Sequence, residues 1–143
     1  TIVIKLIDII MLKIVFALLM IVFFSVKANA EWESVGSTNE DIYLIDPDKI
    51  RTASEYGGKS YLKVWVKKII YNDITKDGFS VGDYRIDLWH IDCNALTSGM
   101  RSYAEYKKNG SLVDSHQFSY VEMKDVIPSS IGEAILEKAC QYQ

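Results

Sequence analysis

Residues 60–71 alternate between two kinds of side chain, and this alternation restricts the fold more than any other feature of the sequence. The aliphatic members of the segment are Leu62, Val64, Val66 and Ile70. The positions between them carry Lys63, Trp65, Lys67 and Tyr71. Since successive side chains of a strand point to opposite faces of a sheet, the segment is predicted to be a long strand. One of its faces is aliphatic, and the other is aromatic and basic.

Shorter stretches with the composition of β-strands surround this segment. Val, Ile and aromatic residues favour strands, whereas Gly, Pro, Asn and Asp between them favour turns. Asp46-Pro47-Asp48 predicts one such turn, because Pro pre-sets φ at the second position. The predicted strands are residues 32–35, 41–45, 50–54, 60–71, 80–92, 101–108 and 112–121.

Two details refine the second half of the chain. Asn109-Gly110 lies between two predicted strands and favours a hairpin with a two-residue type I′ turn. Within residues 80–92 the apolar positions change phase after Leu88. A single change of phase predicts either a β-bulge or a strand that is buried on both faces.

The last segment has helical periodicity. Ser130 and Glu133 have the spacing of a capping box, in which both side chains satisfy free backbone N–H groups. One helical face then collects Ile131, Ala134, Ile135, Ala139 and Tyr142, with Cys140 at its edge. The predicted fold is therefore an α+β domain with an antiparallel sheet of about six strands and one C-terminal helix packed on it.

The first 30 residues have the three-part pattern of a secretory signal peptide. Met11-Leu12-Lys13 is a short basic start, residues 14–26 are almost wholly apolar, and Ala28-Asn29-Ala30 is a cleavage pattern. We therefore expect translation to start at Met11 and cleavage to follow Ala30, which leaves residues 31–143 as one domain. The alternative is a permanent membrane anchor over residues 2–24, against which stand the charges of Lys5, Asp8 and Lys13.

Cys93 and Cys140 are the only cysteines of the chain. In an exported protein an even number of cysteines predicts a disulfide. A redox pair favours Cys-x-x-Cys, and His90 and His116 do not supply zinc-ligand spacing with these cysteines. A Cys93–Cys140 bond would tie the C-terminal helix to the end of a central strand.

Charge and side-chain chemistry exclude several function classes. The leader holds three Lys and one Asp, so residues 31–143 carry 13 basic and 18 acidic side chains and a net charge of −5. This charge disfavours nucleic-acid binding and binding to anionic membranes. His90 beside Asp87 and Asp92 could form an acid–base site, but a His on a sheet face is the simpler interpretation. The acidic loop at residues 73–77 lacks EF-hand spacing. No catalytic residue, metal or cofactor is predicted.

The order of several short motifs resembles the surface-adhesin protein E-like family. The motifs are Trp32, Tyr43-Leu44-Ile45-Asp46, Val64-Trp65-Val66, Asp92-Cys93, Tyr103 with Tyr106 and Gly110, residues 128–132, and Ala139-Cys140. The resemblance covers nearly all of residues 31–143. It implies a curved antiparallel sheet with a disulfide-tethered C-terminal helix. It also implies a protein partner, because the named member is a surface adhesin that binds host matrix proteins. This chain differs from that member in lacking a lipidation Cys.

The aromatic, basic face of the long strand is the candidate binding surface, because Trp and Tyr dominate interface hot spots. Its predicted residues are Tyr61, Lys63, Trp65, Lys67 and Tyr71. The alternative is that the C-terminal helix or a homodimer covers this face. Covering by the helix is the simpler interpretation, since antiparallel sheets usually bury one face and the apolar side of the helix must pack on a face of the sheet.

Two functions follow from these observations. The first is an exported, non-enzymatic domain, in the periplasm, at the cell surface or secreted, that binds a host matrix or envelope protein. After signal cleavage it would keep no membrane anchor. The alternative is a periplasmic structural or accessory protein that acts through a homo-oligomer or an envelope complex.

Overall fold

The computed structural model describes residues 31–54 and 58–143, and of the first 30 residues only positions 2, 4, 7, 11 and 13. The predicted signal peptide, with its start at Met11 and its cleavage after Ala30, lies almost wholly outside the described residues and stays a prediction. Within the part of the chain that is described, no helix is long and apolar enough to cross a bilayer.

The described chain forms one antiparallel sheet and one C-terminal helix, so the predicted α+β architecture is confirmed. Six strands follow one another across the sheet in the order β1-β2-β4-β5-β6-β7, while β3 pairs with β4 and β8 pairs with β6. The strands are β1 (Glu33–Ser37), β2 (Asp41–Ile45), β3 (Arg51–Ser54), β4 (Ser60–Ile70), β5 (Tyr84–Asp92), β6 (Thr97–Tyr106), β7 (Leu112–Gln117) and β8 (Lys124–Asp125).

The helix α1 (Ile131–Cys140) begins at the predicted capping box. The Ser130 hydroxyl accepts a hydrogen bond from the backbone N–H of Glu133 at 3.2 Å. The Glu133 carboxylate reaches back to the N–H of Ser129, one residue before the cap, at 2.6 Å. The side chains of both capping residues thus satisfy backbone donors where the helix begins.

The core lies between α1 and the aliphatic face of β4. Leu62, Val64 and Val66 are buried there, as the alternation of the strand predicts. From the helix Ile135, Leu136 and Ala139 pack on them, with Ile45 and Ile91 from the flanking strands. Burial of these side chains is the main source of the free energy that holds the helix on the sheet.

A Cys93–Cys140 disulfide links the end of α1 to the residue that follows β5, as predicted. The two cysteines are 47 residues apart in sequence, and their Cα atoms lie 5.9 Å apart. Both side chains also pack against the core cluster. The bond therefore fixes the last turn of the helix to the end of a central strand of the sheet.

The change of phase after Leu88 coincides with a β-bulge in the pairing of β5 with β6. Leu88 lies opposite Ser102 and Trp89 lies opposite Met100, which leaves Arg101 as the extra residue of β6.

The extra residue belongs to β6, whereas β5 stays in register with β4 from Tyr84 to Ile91, so the alternation of β5 is unbroken. The apolar positions of β5 change phase because this strand carries apolar side chains on both faces: Leu88 lies on the side of Trp65, and Ile91 is buried on the side of the helix. Of the two explanations that the sequence left open, a strand with both faces covered describes β5 better than a bulge within it. β6 begins at Thr97, upstream of the predicted strand.

The hairpin between β6 and β7 closes differently from the prediction. The N–H of Lys107 donates to the carbonyl of Ser111 at 2.9 Å, and the N–H of Gly110 donates to the carbonyl of Lys107 at 2.8 Å. A two-residue type I′ turn needs positive φ at both central residues, but in this turn only Gly110 has it, at 86°. The loop has three residues, and the Asn109 side chain accepts a hydrogen bond from the N–H of Ser111 instead.

The carboxylate of Asp83 anchors this hairpin to the loop before β5. It accepts hydrogen bonds from the backbone N–H groups of Ser80 and Lys108, each at 2.8 Å, and pairs with the Lys107 ammonium at 3.2 Å. These interactions, with that of Ser80 the strongest, hold the pKa of Asp83 below its ordinary value. Asp83 thereby holds the loop between β6 and β7 against the segment before β5.

Candidate functional site

The sheet has two faces, and α1 packs on only one of them. We call the other the open face. Strand alternation and the pairing registers give its members. On the strands from β2 to β6 they are Ile42 and Leu44 of β2, Arg51 and Ala53 of β3, Tyr61, Lys63, Trp65, Lys67 and Ile69 of β4, Tyr84, Ile86, Leu88 and His90 of β5, and Ser102, Ala104 and Tyr106 of β6.

The expectation that the helix covers the aromatic, basic face of β4 is wrong. The buried residues of α1 pack on Leu62 and Val64, which point away from Trp65. The physical reason is side-chain chemistry. The aliphatic face of β4 matches the apolar stripe of the helix, whereas burying Lys63 and Lys67 under a helix would leave their charges without water or a partner.

Four of the five predicted binding residues lie together on the open face. Tyr61, Lys63, Trp65 and Lys67 follow one another along β4 at every second position. Tyr71 lies one residue beyond the end of the strand, where its hydroxyl donates to the carbonyl of Thr38 at 2.6 Å. Tyr71 therefore belongs to the rim of the sheet.

A cation and three aromatic rings occupy one end of the open face. The Lys67 ammonium lies 4.5 Å from the centre of the Tyr84 ring and 5.6 Å from that of Trp32. Tyr84 in turn stacks on Tyr106, with ring centres 5.0 Å apart. These cation–π and stacking contacts restrict the rings before any partner binds. These contacts hold the rings at this end of the face in a defined arrangement.

The other end of the open face forms an open cavity of about 690 Å³. Its floor includes Tyr61 and His90, whose rings stack with centres 4.3 Å apart. The wall comes from the segment after β7, through Ser119, Tyr120 and Val121. Lys63, Trp65 and Arg101 also line it, and the described residues that line this cavity include no Asp or Glu. The cavity is basic and aromatic, although residues 31–143 are acidic overall.

A second cavity, of about 790 Å³, is lined by Trp89 and Met100 and by the same segment after β7. Its charged residues Glu122 and Lys124 pair with each other at 3.2 Å. Charge compensation within this cavity leaves it without the basic character of the first. We therefore assign the candidate site to the open face.

Gly99 determines how closely the segment after β7 approaches the sheet. A Cβ at this position would lie 2.5 Å from the carbonyl oxygen of Glu122 and 2.6 Å from a methyl group of Val121. Such distances are far below van der Waals contact, so only glycine allows the segment to lie here. The wall of the open-face cavity depends on this close approach.

Strand geometry separates the groups that were considered for acid–base chemistry. His90 points to the open face, whereas Asp87 points to the helix side, where it pairs with the Arg85 guanidinium at 2.6 Å. Asp92 accepts hydrogen bonds from the backbone N–H groups of Asn94 and Ala95. The three side chains therefore do not form one site. Among the described residues, no group of three or more His, Cys, Asp or Glu side chains is arranged to hold a metal ion.

Sequence reasoning missed several residues of the open face. Tyr84, Ile86 and Leu88 share one face of their strand by alternation, but their contact with Lys67 and Trp65 depends on the register between β4 and β5. Tyr120 is 73% exposed and lies in a segment without regular structure, which carries no periodic signal. Arg101 reaches the cavity only because the bulge places it there.

Comparison with known families adds an independent observation. The family model described as surface-adhesin protein E matches residues 32–141, which is nearly the whole described domain. Searches among curated proteins and among solved structures returned no match.

Proposed function

The chain belongs to the surface-adhesin protein E family, and from this premise we propose that residues 31–143 are an exported, non-enzymatic domain that binds a protein partner through its open face. Membership of the family supports a surface-adhesin-like role. The partner class that we propose is a host matrix protein or an envelope protein, which the domain meets outside the inner membrane.

The observation that carries the proposal is an aromatic, basic sheet face that α1 leaves uncovered and that residues 119–121 border at one end only. Trp65 and the open-face tyrosines are large, rigid side chains of the kind that dominate protein interfaces. They are partly exposed, although a central position in a sheet normally favours burial. A folded domain that leaves such side chains accessible gains free energy when a partner covers them.

Charge favours a particular kind of partner surface. The open face carries the cations Arg51, Lys63 and Lys67, and Arg101 of the β6 bulge lines its cavity, within a domain of net charge −5. A partner with acidic side chains around an apolar centre would match this distribution. Such complementarity orients the encounter and raises the association rate more than it raises affinity.

A double substitution in the open face tests the proposal. Trp65→Ala with Lys67→Glu removes the central ring and reverses the charge that lies over Tyr84. We expect affinity for a partner to fall by about 30-fold or more, since truncating a hot-spot residue costs about 2 kcal/mol or more. Surface plasmon resonance measures the affinity for each host matrix protein or envelope protein that the wild type binds.

The matched control is Ile127→Ala with Lys124→Glu. Like the test variant, it truncates one apolar side chain to alanine and reverses the charge of one lysine. Both residues lie outside the open face. The control should bind as the wild type does. Equal affinities for the wild type and the open-face variant, with both folded by circular dichroism, would refute the proposed surface.

A further inference from the structure

Two cations line the open-face cavity without an acidic partner. They are Lys63, which is exposed, and Arg101, which is half-buried. Among the described residues neither forms an ion pair with a carboxylate, whereas Lys68, Lys107 and Lys138 do. The described lining of the cavity also holds no Asp or Glu. Within a domain of net charge −5, this cavity is therefore a local site for an anionic group.

The guanidinium of Arg101 is held in place beside the cavity. Arg101 is the extra residue of the β6 bulge, and its guanidinium donates a hydrogen bond to the carbonyl of Phe118. This contact uses one of the five N–H donors of the group. The remaining donors form part of a planar fork that matches the paired oxygens of a carboxylate or a sulfate. Lys63 adds a second charge to the same cavity from β4.

The aromatic ring next to these cations matches the apolar face of a sugar. Trp65 lies between Lys63 and Lys67 at every second position of β4, so successive Cα atoms of the three are about 7 Å apart. The C–H groups of a sugar ring pack on the negative face of an aromatic ring. A sugar stacked on Trp65 would place its anionic substituents between the ammonium groups on either side.

Uncharged polar side chains complete the lining of the cavity. Ser102, Gln117 and Ser119 belong to it, and Ser102 lies opposite Gln117 in the pairing of β6 with β7. Their hydroxyl and amide groups both donate and accept hydrogen bonds, as the hydroxyl groups of sugars do. An acidic peptide would match the cations but offers few hydroxyl groups. The chemistry of the cavity therefore favours a sugar over a peptide.

We propose that the open-face cavity binds a linear acidic saccharide, whose carboxylate or sulfate groups contact Arg101 and Lys63 and one of whose rings stacks on Trp65. The volume of about 690 Å³ lies within the range of small-ligand sites. Lys67 continues the same side of β4 beyond Trp65, so the site suits a chain better than a single sugar. The inference rests on the proposed function and makes it more specific, because the saccharide would be the part of a glycosylated matrix partner that the open face recognises.

Isothermal titration calorimetry of the exported full-chain product with a heparan sulfate hexasaccharide tests the inference. Lys63→Gln removes the charge and keeps most of the side chain. We expect the dissociation constant to rise about tenfold or more, since a hydrogen bond to a charged group is lost. The matched control Lys124→Gln, in the other cavity, should bind as the wild type does. A wild type that does not bind the hexasaccharide, or equal dissociation constants for the wild type and Lys63→Gln, would overturn the proposal.

Two further probes separate the contribution of the sugar rings from that of the charge. Maltohexaose has sugar rings without charge, and a hexaglutamate peptide has charge without sugar rings. Each should bind the wild type about tenfold more weakly, or less, than the heparan sulfate hexasaccharide. Equal or tighter binding of hexaglutamate would assign the cavity to acidic peptides, and equal binding of maltohexaose would exclude the contacts with the anionic groups. Either result would overturn the proposal.

These outcomes can be told apart from those of the proposed function. Enzymatic removal of the sugar chains of a matrix partner should weaken its binding by about tenfold or more. A partner without its sugar chains could instead bind with unchanged affinity and still fail to bind the Trp65→Ala, Lys67→Glu variant. The saccharide proposal would then be wrong, and the proposed function would stand. Equal affinities of the partner for the wild type and this variant would contradict the proposed function itself.

Discussion

Replacing Cys140 with Ser is expected to lower the free energy of unfolding by about 4 kcal/mol, the value that the chain-entropy model gives for a loop of this length. The loop between Cys93 and Cys140 spans 47 residues, so the bond removes many conformations from the unfolded chain. In the folded state it holds a helix of ten residues, which alone would be marginally stable in water. Urea denaturation monitored by circular dichroism measures the change.

The double variant Cys93→Ser, Cys140→Ser is the control for the free thiol that a single substitution leaves. It should lose about the same stability as Cys140→Ser, and reduction of the wild type should also reproduce the loss. A change below about 1 kcal/mol would mean that packing alone holds α1 on the sheet, and that the chain-entropy model overstates the bond.

Replacing Ile135 with Ala is expected to lower the free energy of unfolding by about 3 kcal/mol, within the range measured for such substitutions in protein cores. Ile135 is fully buried and lies in the core cluster with Leu62 and Val64. Truncation leaves a cavity between helix and sheet that the disulfide-bound helix cannot easily close. The same denaturation experiment measures the loss.

Glu137→Ala is the matched control on the same helix, because Glu137 is exposed and lies between the buried positions. It should change stability by less than about 0.5 kcal/mol, as surface substitutions usually do. If Ile135→Ala also lowered the free energy of unfolding by no more than this, packing of the helix on the sheet would not contribute to the core as the structure indicates.

The sequence was sufficient to predict the parts of the fold that depend on local patterns. The alternation over residues 60–71 corresponds to β4, with Leu62, Val64 and Val66 in the core. The capping box at Ser130 marks where α1 begins. The disulfide was predicted from the expected export and the cysteine count, and the α+β class from the order of the elements.

The errors arose where the outcome depends on contacts between distant residues. The face that α1 covers is set by the match between two apolar surfaces, and local periodicity within β4 does not reveal it. The loop around Asn109-Gly110 has three residues, and its Lys108 N–H is bound by Asp83 from another part of the chain. The register of β4 with β5 brings Tyr84 to Lys67. This register cannot be predicted from the residue pattern of either strand alone.

Only part of the open face could be predicted from the sequence. Four of its residues were recognisable as one side of a strand, because residues at every second position share a face. Its cavity was not recognisable, because the wall comes from residues 119–121 and the bulge at Arg101. Tyr71 satisfies the alternation but lies beyond the point where β4 ends.

The most direct test of the central claim is labelling of a Lys63→Cys variant of the exported domain with a maleimide, with and without a bound protein partner. Lys63 is exposed on the open face, and Lys124→Cys serves as the control outside it. We predict that both cysteines react in the free domain, and that a bound protein partner protects Lys63→Cys but not Lys124→Cys. Equal labelling of Lys63→Cys with and without a bound partner would contradict a domain that binds through its open face.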